Sequence, residues 1–221
     1  AAVHQPAGVR ADDHAFWVLL ICLGPALAHA QSYPALFEVQ DVAHEDVLNI
    51  RATPSASASI VGTLAPGQRN IEVVQLNETG KWGRVNSGES SGWVSMRYLH
   101  LAVQHPWHSP QQPKTCYGTE PFWSLDLAGD IIFSGPDQDD IVYTLKNWAA
   151  SANHTGHFGF EAGDGFSVLS PPSSTRQLNG VLHAANCSDG MSDRTFGISI
   201  DILIKDGQSL SMISGCCSLA P

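Results

Sequence analysis

The chain has 221 residues, 43% of them hydrophobic, and its 11 basic and 21 acidic side chains leave a net charge of -10. An acidic chain with no basic stripe argues against nucleic acid and anionic membrane surfaces as partners. Of five cysteines, Cys22 lies in an apolar N-terminal run, while Cys116, Cys187, Cys216 and Cys217 all fall in the second half.

Residues 16–27 (FWVLLICLGPAL) have the length of a signal-peptide core and are too short to span a bilayer comfortably. Ala28, His29 and Ala30 follow as a small-x-small cleavage signal. Residues 1–30 therefore read as a signal peptide, with Gln31 as the expected mature start and an exported, periplasmic location. The stretch ahead of the run is a weak basic region, because Asp12 and Asp13 offset Arg10, and it carries no initiating Met. A lipoprotein signal ending at Cys22 is a competing reading, disfavoured by Leu20 and Ile21 before the cysteine. A retained anchor helix is another. No later stretch is apolar enough to span a membrane.

Short strand signals then follow at residues 36–42, 47–52, 60–64, 71–76, 81–85 and 92–95. Ala65, Pro66 and Gly67 make a turn, and residues 86–91 are rich in Gly and Ser. Half-buried strands at this spacing predict a small barrel over residues 31–101. Residues 102–114, with Pro106, Pro110 and Pro113, read as an extended linker.

Residues 115–221 read as antiparallel β, closed into a barrel or folded into a sandwich. The strand signals are 122–127, 131–134, 140–145, 156–160, 166–169, 177–184, 196–204 and 210–214. Ala128-Gly129-Asp130 and Asp206-Gly207 are turns, the second a strong hairpin signal. Only residues 146–152 suggest a helix. The fold class is all-β throughout.

Four groups of residues could carry chemistry. Cys116, Cys187, Cys216 and Cys217 read as two structural disulfides in an oxidising compartment. Adjacent cysteines rarely pair with each other, so Cys216 and Cys217 are each expected to reach Cys116 or Cys187, in either order. Neighbouring strand residues face opposite ways, which puts one bridge inside and one outside. A thiolate metal or redox site is the alternative, disfavoured by the lack of a C-x-x-C pair. Glu120, Asp189 and Asp193 flank the cysteines and could act as acid–base or Ca²⁺-binding carboxylates. Turn chemistry at Ser188-Asp189-Gly190 and a local Asp193–Arg194 pair are their bland readings. His105-x-x-His108 and His154-x-x-His157 have half-site metal spacing, with His183 the one further histidine in view for the second pair. Solvated loop histidines are the favoured reading, since a chain this rich in histidine produces such pairs by chance, and no metal or other cofactor is expected. Trp82, Trp93 and Tyr98 could line a peptide or glycan groove with Tyr33, or could fill the small barrel's core. No G-x-S-x-G elbow or phosphate-binding loop is present.

Two resemblances add to this. Asp46-Val47-Leu48-Asn49-Ile50-Arg51-Ala52, Ile60-Val61-Gly62-Thr63-Leu64, Trp82-Gly83-Arg84-Val85 and Gly92-Trp93-Val94 with Tyr98-Leu99 resemble, block by block and in order, bacterial SH3 domains over residues 36–101. Cys116 to Trp123 (CYGTEPFW), Cys187 to Asp193 (CSDGMSD) and Gly215-Cys216-Cys217 look like an uncharacterised family of exported bacterial proteins over residues 115–218. Phe196-Gly197 departs from that family's expected Tyr-Pro pair. The first resemblance implies binding to peptidoglycan or an envelope protein; the second implies an envelope location and no established activity. The expected function is therefore non-enzymatic envelope binding. A cell-wall hydrolase or hydrolase inhibitor using Glu120, Asp189 and Asp193 is the runner-up, and a Cys/His metal or redox protein is third.

Overall fold

In the first lobe, alternation with a period of two sorts side chains onto two faces. Leu48 and Ile50 are buried in β2 (Leu48–Arg51), while Asn49 and Arg51 face outward. The computed structural model describes residues 1–2, 32–102, 105–136, 139–164 and 176–219. The apolar run 16–27 with Cys22, the cleavage signal at Ala28 to Ala30 and the strand expected at 166–169 lie outside the described residues. Ser32–Pro221 forms one compact unit.

β1 (Ala35–Val39) pairs with β4 (Ile71–Val73) on one side and β8 (Leu99–Leu101) on the other. A second sheet has the order β3-β2-β7-β6-β5, where β3 is Ile60–Leu64, β5 Gln75–Leu76, β6 Trp82–Ser87 and β7 Ser90–Ser95. Between the two sheets lie Phe37, Val39, Leu48, Ile50, Val73, Val85 and Val94. The β6–β7 hairpin turns on Gly88, whose φ of 58° lies in the left-handed region. This lobe is an SH3-like domain.

The second lobe is a closed, eight-stranded antiparallel barrel. Its strands are β9 (Lys114–Thr119), β10 (Phe122–Ala128), β11 (Asp130–Ser134), β12 (Ile141–Ala150), β13 (His157–Asp164), β14 (Gln177–Cys187), β15 (Phe196–Asp206) and β16 (Ser209–Ser218). Each strand pairs with its neighbour in sequence, and β16 returns to β9 through only three residue pairs. Leu125, Leu127, Ile131, Phe133, Tyr143, Phe160, Leu178, Leu182, Ile198, Ile200 and Ile202 fill the interior. Closure removes the sheet edges that would otherwise invite aggregation. The helix expected at residues 146–152 is not formed. Residues up to Ala150 continue β12, and a bulge between Leu145 and Asn147 shifts the register. The bulge breaks the two-residue alternation, so this stretch does not read as strand from its pattern.

The two disulfides are Cys116–Cys217 and Cys187–Cys216. Cys116 and Cys217 are directly opposed across the β9–β16 seam and fully buried in the core. Cys216 points to the outer face, where it is 1% exposed and tied to the end of β14. The first bridge staples one of the two shortest ladders of the barrel, each of three residue pairs. The second holds the β14–β15 connection over the same seam.

Residues 105–113 close one end of the barrel. Trp107 is 3% exposed, belongs to the barrel core and meets Phe158 edge-on at 5.3 Å. Trp148 Nε1 donates to the His108 carbonyl at 3.0 Å. Lys114, at the start of β9, turns inward and is only 2% exposed. Its Nζ donates to the carbonyls of Ser109 (3.0 Å) and Gln112 (2.8 Å) and lies 5.1 Å above the Trp148 ring. Charge is being held in an apolar environment, and desolvation lowers this lysine from 10.5 to about 8. Between those values the unfolded chain binds more protons than the folded one, so stability rises with pH in that window. We expect a gain on the order of 3 kcal/mol between pH 8 and 10.5. Lys114→Met should flatten it in denaturant titrations at stepped pH. An equal slope in both proteins would show that Lys114 does not bear the burial penalty.

The lobes share more than a connection. Leu36 of β1 packs in the barrel core, and Ala102 donates to the Leu36 carbonyl. Ser218 Oγ donates to Glu72 Oε2 across the interface, where both residues are buried. Gly197 lies under the Pro34 ring, whose Cδ stands 2.9 Å from where a Cβ would be. Any side chain at residue 197 would lever the first strand away from the barrel wall.

Candidate functional site

Cross-strand register decides which residues of the SH3-like lobe face solvent. Gly83, Val85, Gly92 and Val94 take the buried positions of β6 and β7. Trp82, Arg84 and Asn86 are thereby forced onto the outer face with Ser91, Trp93 and Ser95. Arg84 is the direct partner of Trp93, its guanidinium 5.9 Å from the ring centroid. Trp82 lies one diagonal step away from Trp93, within reach of a single extended ligand. Arg51 is also opposite Trp93, on the neighbouring strand. Arg84 is held by two hydrogen bonds to Ser91 Oγ, at 2.9 and 3.2 Å. Arg51 is held by the Ala58 carbonyl at 2.8 Å. Neither Trp82 nor Trp93 belongs to the core, so the face carries two half-exposed indoles and two fixed guanidiniums on an acidic protein.

Tyr98 is placed differently. It sits in the 3₁₀ turn Met96–Tyr98, half-buried against the lobe's core, with Arg97 5.6 Å over its ring. Tyr33 likewise packs on the core, stacked with Phe37 at 6.3 Å.

The barrel borders one end of the Trp82–Trp93 face. Asn86 exchanges two hydrogen bonds with the backbone of Thr195, both 3.0 Å, and Asp193 N donates to the Glu89 carbonyl at 2.9 Å. The loop of residues 188–195 thus forms a wall beside the indoles. Asp189 organises that loop. Its carboxylate accepts from Met191 N, Ser192 N and Ser192 Oγ at 2.8–3.0 Å. Desolvation pulls its pKa up, but these hydrogen bonds and the Arg194 charge outweigh it and leave the pKa below the usual carboxylate value. An anion held this way closes a turn and is a poor general acid. Thr119 Oγ1 donates to the Asp189 carbonyl at 3.0 Å, which draws Glu120 toward the loop. Glu120 and Asp193 are exposed, so the carboxylates that the sequence singles out stand on one edge of the barrel around an Asx turn.

A second concavity is invisible in the sequence. At the barrel end opposite residues 105–113, the described residues enclose a cup of about 440 Å³ lined by Trp123, Phe133 and Tyr143, with Arg176, Asp206 and Ser211 beside them. Its lining comes from five strands, β10, β11, β12, β15 and β16, and from residues between them, so no local motif marks it.

The histidines divide. His108 stacks on Phe158 at 4.6 Å, and burial with the nearby Lys114 charge lowers its pKa. The rings of His154, His157 and His183 form a chain at 5.5 and 4.7 Å. All four late cysteines are bridged and unavailable as thiolate ligands.

The fold defines a β-only protein with an SH3-like lobe docked on a closed barrel. The bacterial SH3 domain family matches residues 46–100, within the lobe that carries the indole face. No curated protein matches the chain. Among the described residues no helix is long and apolar enough to cross a membrane.

Proposed function

We propose that this is an exported, non-enzymatic protein that binds the cell envelope, recognising a carboxylate-bearing peptide such as a peptidoglycan stem on the Trp82–Arg84–Trp93 face. The observation that carries the reading is the arrangement of that face. Two indoles and two anchored guanidiniums point outward together on a protein of net charge -10. Indoles supply stacking area for an extended chain, and fixed guanidiniums pair with carboxylates at little cost in ordering. The bacterial SH3 match is consistent with cell-wall or protein binding. Export is supported by the apolar run before Gln31 and by two disulfides, which persist in oxidising compartments.

The test is retention on purified, insoluble peptidoglycan. Wild-type protein should co-sediment, and Trp93→Ala should weaken retention by about 2 kcal/mol, a thirty-fold loss. Arg84→Ala should act in the same direction and steepen with falling salt. Retention indifferent to both changes would remove the face from the reading. Soluble fragments released by the wild type would replace the binder with a hydrolase.

A further inference from the structure

The barrel wall carries a cluster of imidazoles that envelope binding does not use. We infer that His154, His157 and His183 form a surface site for one divalent transition-metal ion of the Zn²⁺ or Cu²⁺ type.

Sequence spacing gives only half of it. His154 and His157 are three residues apart, and His183 follows 26 residues later. The register of β13 and β14 makes His157 and His183 direct cross-strand partners. Their ring centroids stand 4.7 Å apart, and those of His154 and His157 stand 5.5 Å apart. With metal–nitrogen bonds of about 2.0–2.1 Å, two imidazoles on a tetrahedral ion hold their centroids roughly 5 Å apart. Both observed spacings bracket that value.

The rings are also supported as ligands are. His157 Nδ1 lies 3.2 Å from the Thr155 carbonyl, so a proton on Nδ1 leaves the Nε2 lone pair open. His183 Nε2 lies 3.5 Å from Asp201 Oδ2, and Asp201 accepts from Ser214 Oγ at 2.6 Å. A proton shared toward that carboxylate leaves Nδ1 of His183 open. Carboxylate or carbonyl behind a histidine is the arrangement that orients metal ligands and raises their basicity. The loop bearing His154 is pinned at both ends, by Ser151 N to the His157 carbonyl and by Ala184 N to the Gly156 carbonyl, each 2.9 Å. As placed, no three His, Cys, Asp or Glu side chains among the described residues converge on one point. His154 is exposed and His157 and His183 are partly so, and the proposed site forms by rotation about their side-chain bonds. Three neutral imidazoles select ions at the Cu²⁺ and Zn²⁺ end of the divalent series over Mg²⁺ or Ca²⁺, which prefer oxygen. The exposed position leaves the fourth coordination place to water.

The experiment is calorimetric titration of the oxidised, tag-free, chelator-treated full chain with Zn²⁺ and separately with Cu²⁺. One ion per chain is expected. His183→Ala and His157→Ala should each weaken binding at least a hundred-fold, and Asp201→Asn about ten-fold. These side chains lie on the outer wall, and unchanged circular dichroism will show that the variants fold. With Cu²⁺, electron paramagnetic resonance should show coupling to three imidazole nitrogens in the wild type and to two in His154→Ala. The inference fails if the wild type takes up neither ion, or if the variant with His154, His157 and His183 all replaced by alanine binds as tightly as wild type. It fails equally if His105→Ala with His108→Ala abolishes uptake instead.

Discussion

Replacing Cys116 and Cys217 by alanine is expected to lower the unfolding free energy by about 4–5 kcal/mol, the larger of the two disulfide effects. The bridge closes a loop of 101 residues, whereas Cys187–Cys216 closes one of 29. In the chain-entropy account the first stabilises by about 4.7 kcal/mol and the second by about 3.6, so the pair of variants should differ by roughly 1 kcal/mol. Position adds to the contrast. The first bridge lies inside the core, at a seam with only three residue pairs between β9 and β16. Its loss removes buried sulfur packing at a seam of only three residue pairs. Equilibrium unfolding in guanidinium, without reductant, compares the two double variants directly. A smaller loss for Cys116/Cys217 than for Cys187/Cys216 would show that the seam holds without its staple.

Trp107→Ala should cost about 3–5 kcal/mol, the range for removing a large buried aromatic side chain. The residue is 3% exposed, packs on Phe158 and sits in the segment that Lys114 fastens to the barrel end. The comparison that gives this its force is Trp93→Ala. That indole is half-exposed and its contact with Arg84 contributes only about 0.5–1 kcal/mol. Urea unfolding of the two single variants should separate them by more than 2 kcal/mol. If Trp107→Ala stayed within 1 kcal/mol of wild type, residues 105–113 would be a tether lying against the barrel and not its closure.

These two tryptophans show what the sequence discloses and what it withholds. The strands of the SH3-like lobe are legible because Leu48/Ile50 and Val85/Val94 alternate cleanly with polar residues. Asp206-Gly207 announces its hairpin because Gly207 supplies a φ of 58°. The outward placement of Trp82 and Trp93 is harder to read. It depends on Gly83 and Gly92 taking the buried positions, where a glycine leaves room for Val73, Met96 and Ile50. Trp107 is hidden by its setting, since three prolines read as linker while a lone aromatic decides the packing. The second histidine pair acquires its partner only through the register of β13 and β14, a non-local fact. Likewise the cup at the far barrel end gathers its lining from five strands. Asp189 is legible as a turn residue from Ser188-Asp189-Gly190 alone, and its three accepted hydrogen bonds show what that turn is made of.

The β9–β16 staple also changes what kind of object the second lobe is. Residues 116 to 217 form a covalent circle that runs once around the circumference of the barrel. Such a ring has no loose strand at either end. A protease that cuts one hairpin tip, for example after Asp206, opens the circle without releasing a fragment. Every strand then keeps both of its neighbours, and the nicked chain remains a single molecule with its SH3-like face still attached.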